Sequence, residues 1–344
     1  MKYKINVVPR TFTFKKPART SRGVYTHRQS WFVTVAYPET PDDIKGVGEC
    51  APLPDLSCDY TPDYEKKLRS ICDKLELQGK LEDIDLQDYP SMRFGIESAL
   101  AQVKAGSADI FETPFSRGEN GIPFNGLVWM DNYENMFAQM EEKIDKGFRC
   151  VKLKVGAIDF DSELSLVKHI RSRFSASVIE IRLDANGGFT PDDALYKLEL
   201  LSQYSIHSIE QPIKPHQWSY MAQLCRESPL PIALDEELIG INDPSMMAYM
   251  LNIIKPAYLV LKPSLHGGIS GVKQWIAAAQ EKGIKTWITS ALESNVGLYA
   301  IAQLAAHMYG PNIMMPQGLG TGLLFTDNID MPIETRGDEM WRKM

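Results

Sequence analysis

The sequence contains few cysteines, and they form no recognisable pattern. Five cysteines are scattered along 344 residues, and no two of them are separated by only two residues. Zinc and redox sites built from cysteine use closely spaced pairs, whereas disulfide frameworks use an even set in a short secreted chain. The sequence therefore argues against a zinc site and against a disulfide scaffold, and we expect a cytoplasmic protein.

Long apolar runs and basic blocks are also absent. No run approaches the roughly 18 apolar residues that span a membrane, and the first residues lack the continuous apolar segment of a signal peptide. Lysine and arginine total 37 against 44 acidic residues, which gives a net charge of −7 without any basic cluster. We expect neither a membrane nor a nucleic acid as partner. The sequence does not indicate an oligomeric state.

Residues 1–121 have the pattern of a separate α+β unit. Strand-like segments come first, and two stretches with helical spacing of apolar residues follow. The predicted strands are 4–8, 31–37 and 45–49, and the predicted helices are 64–75 and 94–105. Strands followed by helices are typical of an α+β domain, here expected to cap the rest of the chain.

Residues 122–322 alternate regularly between short apolar runs and amphipathic stretches. The runs are 124–130, 150–155, 180–185, 206–210, 231–235, 257–262, 285–290 and 312–315. This alternation predicts a (β/α)₈-type barrel. The alternative, an open doubly wound sheet, favours a glycine-rich phosphate loop after the first strand, and none is present. Residues 323–344 are expected to return to the N-terminal unit.

Charged residues recur where these runs end. The ends of all strands in a barrel point into one mouth, where active sites lie. The residues at the ends of the second to sixth runs are Lys152 and Lys154, Asp184, Glu210, Asp235 and Lys262. We therefore expect three carboxylates and three lysines to converge.

The three carboxylates, Asp184, Glu210 and Asp235, indicate a metal site. Carboxylates that share one cavity repel one another, and a hard divalent cation relieves the repulsion. Oxygen ligands without histidine or cysteine favour Mg²⁺ over zinc, with Mn²⁺ as a substitute. Any one of them alone is explained equally well as a helix cap or a surface charge. Three in register at successive strand ends favour a functional site.

The lysines lie in otherwise apolar strands, where an unpaired lysine is rarely buried. Lys152 and Lys154 lie on the same face of their strand, and a neighbouring cation lowers the pKa of a lysine that acts as a base. Solvated strand ends are the alternative explanation. With a metal ion on the substrate carboxylate, one lysine can remove the adjacent proton while the other stabilises the enediolate. These residues alone leave elimination, racemisation and cycloisomerisation open.

The same residues resemble the muconate-lactonising subgroup of the enolase superfamily. The resemblance lies in Lys-Leu-Lys at 152–154, Arg-Leu-Asp-Ala-Asn at 182–186, Ile-Glu-Gln-Pro at 209–212, Asp-Glu at 235–236 and Leu-Lys-Pro at 261–263. It implies a (β/α)₇β TIM-like barrel with an α+β capping domain. It also implies that Asp184, Glu210 and Asp235 bind the metal and that Lys154 and Lys262 form the acid/base pair.

Within that subgroup, further segments resemble the o-succinylbenzoate synthases of menaquinone biosynthesis. They are 48–54, 124–130, 262–268 and 290–294. The resemblance implies dehydration of 2-succinyl-6-hydroxy-2,4-cyclohexadiene-1-carboxylate, with Lys154 as the base and Lys262 as the stabilising cation. N-acylamino acid racemases and dipeptide epimerases are the alternatives. Dipeptide epimerases typically carry an Asp-x-Asp motif near the last strand, and residues 314–320 contain no acidic residue.

Lys152, Asn186, Ser264 and Ser290 are expected to bind the substrate or to support the residues that do, and the loop 318–321 is expected to border the substrate. Segments 19–25 and 52–59 of the cap are candidate lids over the site. Two other classes of protein fit these residues less well. A Schiff-base aldolase would need a lysine but no metal, so the three carboxylates argue against it. A metal-free interaction protein would need none of the lysines and carboxylates, so the presence of the complete set argues against it.

Overall fold

The computed structural model describes residues 3–20, 23–38, 45–156, 158–322 and 324–344. Parts of two predicted segments, residues 21 and 22 of a candidate lid and residue 323 of the C-terminal segment, lie outside these ranges. None of the helices among the described residues is long and apolar enough to cross a membrane.

The N-terminal part is an antiparallel sheet covered by two helices, the α+β arrangement that the sequence predicts. The elements are β1 (Lys4–Thr20), β2 (Gly23–Ala36), β3 (Gly46–Cys50), α1 (Tyr64–Gln78) and α2 (Pro90–Ala105). β2 lies between β1 and β3. β1 and β2 are much longer than the predicted strands, because they continue as a hairpin past the core of this unit.

The second part is a curved parallel sheet surrounded by helices, which confirms the predicted α/β barrel class. β4 (Ile122–Pro123) leads into it. The parallel strands are β5 (Gly126–Val128), β6 (Cys150–Lys154), β7 (Glu180–Asp184), β8 (Ser208–Glu210), β9 (Ile232–Leu234), β10 (Tyr258–Leu261) and β11 (Lys285–Ile288). The helices are α3 (Tyr133–Asp145), α4 (Phe160–Arg173), α5 (Pro191–Ser202), α6 (Trp218–Glu227), α7 (Pro244–Ile254), α8 (Gly268–Gln280) and α9 (Asn295–Tyr309).

The barrel closes through a very short segment. Gln317 bridges to Phe124 beside β5, and Gly318 bridges to Thr289 beside β11, both in parallel orientation. The prediction of a strand at 312–315 is therefore wrong, because those residues form no strand and the closing contacts come later. Gly318 is required there, since a Cβ atom would lie 1.8 Å from the Thr289 hydroxyl oxygen.

The C-terminal segment contacts both parts of the molecule. Phe325 packs between Phe12 and Phe14 of β1, with ring centroids 5.2 and 4.7 Å away. The hairpin of β12 (Ile333–Arg336) and β13 (Glu339–Arg342) instead pairs with β4 at the start of the barrel. The domain limits of 1–121, 122–322 and 323–344 stay a prediction.

Three of the hydrophobic clusters hold these parts together. The largest lies between the barrel strands and the helices around them, and a second lies between the cap sheet and its helices. A third joins the two, because it contains Phe12 and Phe32 of the cap together with Leu265, Leu292 and Val296 of the barrel. The cap is therefore packed on the mouth of the barrel, where the predicted site lies.

Helix α2 lies unusually close to β3 because glycines face each other. A Cβ atom at Gly48 would lie 1.8 Å from the Gly95 carbonyl oxygen, and one at Gly95 would lie 2.4 Å from Cys50 Sγ. Such distances leave no room for a methyl group without moving the helix.

We expect Gly48→Ala to lower the free energy of unfolding by about 3 kcal/mol, because it overpacks this contact. Urea unfolding followed by circular dichroism measures the change. Leu77→Ala is the control, since Leu77 of α1 is 70% exposed and its truncation should cost less than about 0.5 kcal/mol. Equal stability of Gly48→Ala and the wild type would show that α2 is free to shift.

Candidate active site

The predicted charged residues lie together at the carboxyl ends of neighbouring strands. Lys154 is in register with Asp184 on β7, and Asp184 is in register with Glu210 on β8. Asp235 directly follows β9, and Lys262 directly follows β10. Four of these five residues are buried and Lys262 is nearly so. The register of the parallel sheet thus brings them to one side of the barrel.

Each carboxylate contacts at least one lysine ammonium group. Lys152 Nζ lies 2.5 Å from Glu210 Oε2 and 3.1 Å from Asp184 Oδ2. Lys154 Nζ lies 3.0 Å from the same Asp184 oxygen, so both lysines of β6 point to one face, as strand alternation predicts. Lys262 Nζ donates to Asp235 Oδ1 at 2.6 Å. Within the described residues no three acidic, histidine or cysteine side chains form a group arranged to hold a metal ion. Ammonium groups lie against all three carboxylates instead.

Burial and the neighbouring opposite charges shift the pKa values of these groups in opposite directions. Burial raises the pKa of Glu210 to about 7, although Lys152 partly offsets the effect. Burial alone would also raise the pKa of Asp184, but Lys152 and Lys154 lower it below its usual range. Burial would lower the pKa of Lys262, but Asp235 and Glu236 raise it, so that Lys262 is a cation. Buried charges are tolerated here because they compensate one another.

Asn186 orients Lys154. Its Oδ1 accepts a hydrogen bond from Lys154 Nζ at 2.7 Å, and its Nδ2 donates to Glu236 Oε1 at 3.0 Å. Asn186 has a φ of 45°, in the left-handed region, and such strain at a strand end is common at functional sites. Glu236 thereby fixes the amide orientation, which presents the carbonyl oxygen to the lysine.

Gln211 connects the ends of β8 and β9. Its side-chain oxygen accepts from the backbone N–H groups of Asp235 at 3.3 Å and Glu237 at 3.1 Å. Its amide nitrogen donates to Ile213 O and to Glu237 Oε2, both at 3.0 Å. The residue is completely buried. Because it directly follows Glu210, it fixes Glu210 and Asp235 relative to each other.

The two predicted serines share one buried acceptor. Ser264 Oγ donates to Glu293 Oε1 at 2.5 Å, and Ser290 Oγ donates to Glu293 Oε2. Ser290 lines the cavity above the lysines, with Thr321 donating to it at 2.8 Å. Ser264 is completely buried, and the described lining of the cavity does not include it. Ser264 therefore lies behind the cavity wall.

The cap and the barrel both line this cavity. Tyr25, Leu53 and Leu56 come from the segments predicted as lids, and Leu127 and Trp129 come from the first barrel strand and the loop after it. The polar lining is Asn125, Lys152, Lys154, Asp184, Asn186, Glu236, Lys262, Thr289, Ser290 and Thr321. A cavity with one charged end and one apolar wall suits a small carboxylate that also has a hydrophobic body.

Several of these residues escape sequence reasoning. Gln211, Glu236 and Asn125 lie within or beside the recognised motifs, but the sequence does not show which groups they contact or that they lie at the site. Glu293 could be recognised from the sequence, because an acidic residue between serines in an apolar stretch indicates a buried carboxylate.

His266 lies near the mouth but accepts from the Lys262 backbone N–H at 2.9 Å, and burial lowers its pKa to about 3. It is therefore a neutral structural residue.

The strand-end cluster in a capped parallel barrel defines a class of enzymes that remove a proton next to a carboxylate. A family model described as "Enolase C-terminal domain-like" matches residues 135–331. The chain belongs to the enolase superfamily.

The chain is similar over nearly its whole length to one particular enzyme. It is 44% identical to the o-succinylbenzoate synthase of Desulfotalea psychrophila, over 94% of this chain and 95% of that protein. The crystal structure of MenC from the same organism superposes with a TM-score of 0.83 at 39% identity, covering 99% of this chain and 100% of that one.

Epimerases of the superfamily are more distant. The L-Ala-D/L-Glu epimerase of Bacillus subtilis is 27% identical over 87% of this chain and 82% of that protein. A substrate-liganded structure of it has a TM-score of 0.85 at 21% identity, covering 99% of this chain and 96% of that one, which shows a shared fold.

We expect Gln211→Leu to lower the free energy of unfolding by about 3 kcal/mol, because it leaves buried backbone N–H groups without acceptors. Turnover should fall as well, since Glu210 and Asp235 lose their common support. Gln223→Leu is the control, because Gln223 is exposed on α6 and its side-chain amide donates to the exposed Glu227. Wild-type stability in Gln211→Leu would mean that the backbone alone holds the two strand ends.

Proposed function

We propose that the chain is an o-succinylbenzoate synthase that dehydrates 2-succinyl-6-hydroxy-2,4-cyclohexadiene-1-carboxylate. The observation that carries the proposal is 44% identity over nearly the full length to a synthase, in a chain whose strand ends carry the complete lysine and carboxylate set. The charged end of the cavity suits the ring carboxylate, and the wall of Leu53, Leu127 and Trp129 suits the ring.

Lys154 is the proposed base. It lines the cavity, and Asn186 and Asp184 fix its Nζ. In its neutral form it takes the proton next to the ring carboxylate, and the C–H electron pair enters the enediolate. The resulting ammonium then returns a proton to the ring hydroxyl, the C–O bond breaks, and water leaves. The ring becomes aromatic, which makes the elimination strongly favourable.

Lys262 is the proposed stabilising cation. It follows β10, four strands away from Lys154 on β6, and both lysines line the same cavity. Burial would lower its pKa, but Asp235 raises the pKa above its usual value, so Lys262 is a cation in the structure. A fixed cation beside the developing negative charge lowers the barrier without any rearrangement.

The donor chemistry of Asp184, Glu210 and Asp235 suits a hard divalent cation, although lysine ammonium groups lie against all three in the structure. All three donors are carboxylates, and within the described chain Glu210 Oε1 is buried and accepts no hydrogen bond. Enzymes of this superfamily use Mg²⁺. When bound, Mg²⁺ would hold the substrate carboxylate and stabilise the charge that develops on it. Mn²⁺ is proposed as a substitute.

The proposal also includes a cytoplasmic location and a protein that binds neither nucleic acid nor a membrane.

Purified protein should consume the cyclohexadiene substrate rapidly with Mg²⁺ present, and EDTA should abolish the reaction. Loss of the diene absorbance and appearance of o-succinylbenzoate by chromatography measure it. Asp184→Asn should lose both metal binding and activity.

The alternative activities have a distinct outcome. If the diene persists while the α-proton of N-acylamino acids or dipeptides exchanges in D₂O, the chain is a racemase or an epimerase instead. Unchanged metal binding and activity in Asp184→Asn would contradict the proposed metal site.

Lys154→Ala and Lys262→Ala should each lower kcat by at least about 10³-fold, because general-base and charge-stabilising groups contribute on this scale. Mg²⁺ affinity by calorimetry should stay near the wild-type value. Lys214→Ala is the control, since the Lys214 side chain is exposed beyond β8 and the described lining of the cavity does not include it. Loss of metal binding in either active-site variant would assign that lysine a structural role.

A further inference from the structure

A buried carboxylate of the cap contacts a barrel helix beside the active site. Glu49 lies on β3 and is completely buried. Its carboxylate accepts from Ser30 Oγ at 2.7 Å within the cap. It also accepts from Ser294 N at 3.0 Å, Ser294 Oγ at 2.6 Å and Gly297 N at 3.0 Å. Three of its four hydrogen bonds therefore cross from the cap to the barrel.

These contacts occupy the N-terminus of α9. Ser294 is the N-cap residue, and Gly297 lies in the first turn. The free N–H groups and the dipole of a helix N-terminus stabilise a negative charge, which offsets the desolvation that raises the pKa of Glu49. Gly297 makes the approach possible, since a Cβ atom there would lie 3.0 Å from Glu49 Oε2.

The residues just before α9 form a wall of the cavity. We call residues 289–294 the β11 loop. Glu293, next to Ser294, accepts from Ala291 N at 2.6 Å and from the hydroxyls of Ser264 and Ser290. Thr321 then donates to Ser290 at 2.8 Å. The position of Ser294 therefore determines where Glu293, Ser290 and Thr321 lie.

A second cap residue holds the same loop. Arg28 on β2 is buried and donates from Nε to Leu292 O at 3.3 Å. Its other nitrogens donate to the carbonyl oxygens of Ala51 and Pro52, where the segment 52–59 begins. Leu292 has a φ of 67° and lines the cavity, so a strained backbone at the wall is held by the cap.

A comparable contact elsewhere provides an internal control. Glu97 on α2 accepts from Ser270 N at 3.1 Å and from Ser270 Oγ in the first turn of α8. It is also a cap carboxylate at the N-terminus of a barrel helix, with 13% of its side chain exposed, and it lies 3.5 Å from Arg93 Nε. Neither Glu97 nor Ser270 belongs to the described lining of the cavity.

We infer that Glu49 is a positioning residue for substrate binding, which places the β11 loop and Thr321 against the substrate through the N-terminus of α9. The inference rests on the proposed function. The cap thus shapes the binding pocket through Glu49, besides lining it with Tyr25, Leu53 and Leu56.

The test compares Glu49→Gln with Glu97→Gln. In both variants the side-chain amide of glutamine places an N–H group against hydrogen-bond donors that faced a carboxylate oxygen. The free energy of unfolding should therefore fall to a similar extent in both. Only Glu49→Gln should raise KM for the cyclohexadiene substrate, by about tenfold, with kcat within about threefold and Mg²⁺ affinity unchanged. Binding of o-succinylbenzoate, measured by calorimetry, should weaken by a similar factor. Ser294→Ala, which removes one of the four hydrogen bonds to Glu49 together with the N-cap bond from Val296 N, should show a smaller effect in the same direction.

Hydrogen–deuterium exchange makes the test independent of turnover. Amides of residues 290–297 should exchange faster in Glu49→Gln, and those of residues 267–271 in Glu97→Gln. Unchanged exchange at 290–297, or equal KM and product affinity in Glu49→Gln, Ser294→Ala and wild type, would overturn the inference. If wild-type protein does not consume the diene, the proposed function fails, whereas the exchange result still decides the role of Glu49.

Discussion

The contacts between three buried carboxylates and three lysine ammonium groups at the mouth of the barrel are the interaction on which the rest depends. Each ion alone would be costly to bury, and each lies against an ion of opposite charge. The Nζ atoms of Lys152 and Lys154 lie 2.5–3.1 Å from carboxylate oxygens. Parallel strands in register supply the required geometry, since neighbouring strands end side by side. The charge balance within the cluster explains why an acidic chain concentrates lysines there.

The supporting residues show how this cluster is kept in place. Gln211 joins the ends of two strands, and Asn186 links Lys154 to Glu236. Each uses its whole amide group in hydrogen bonds to neighbouring strand ends. The cap adds a further layer, because Glu49 and Arg28 hold the loop that forms one wall of the cavity. The pocket is therefore built by both domains, whereas the proposed chemistry depends on the barrel alone.

Much of the barrel could be predicted from the sequence because its strands are short apolar runs that end in charge. A lysine pair in an apolar strand, as at Lys152 and Lys154, has few explanations besides a site. The eighth strand was misplaced at 312–315 because closure needs only the bridges of Gln317 and Gly318, which have no strand-like composition. Glu49 was missed as a contact because its partner Ser294 is 245 residues away, and no local pattern encodes such a pairing.

Anomalous scattering from crystals that contain Mn²⁺ and o-succinylbenzoate would test the central claim most directly. The account predicts one strong peak in contact with carboxylate oxygens of Asp184, Glu210 and Asp235, with Lys154 and Lys262 on opposite faces of the bound ring. A peak elsewhere, or product bound at the mouth without an ion among these carboxylates, would contradict the account.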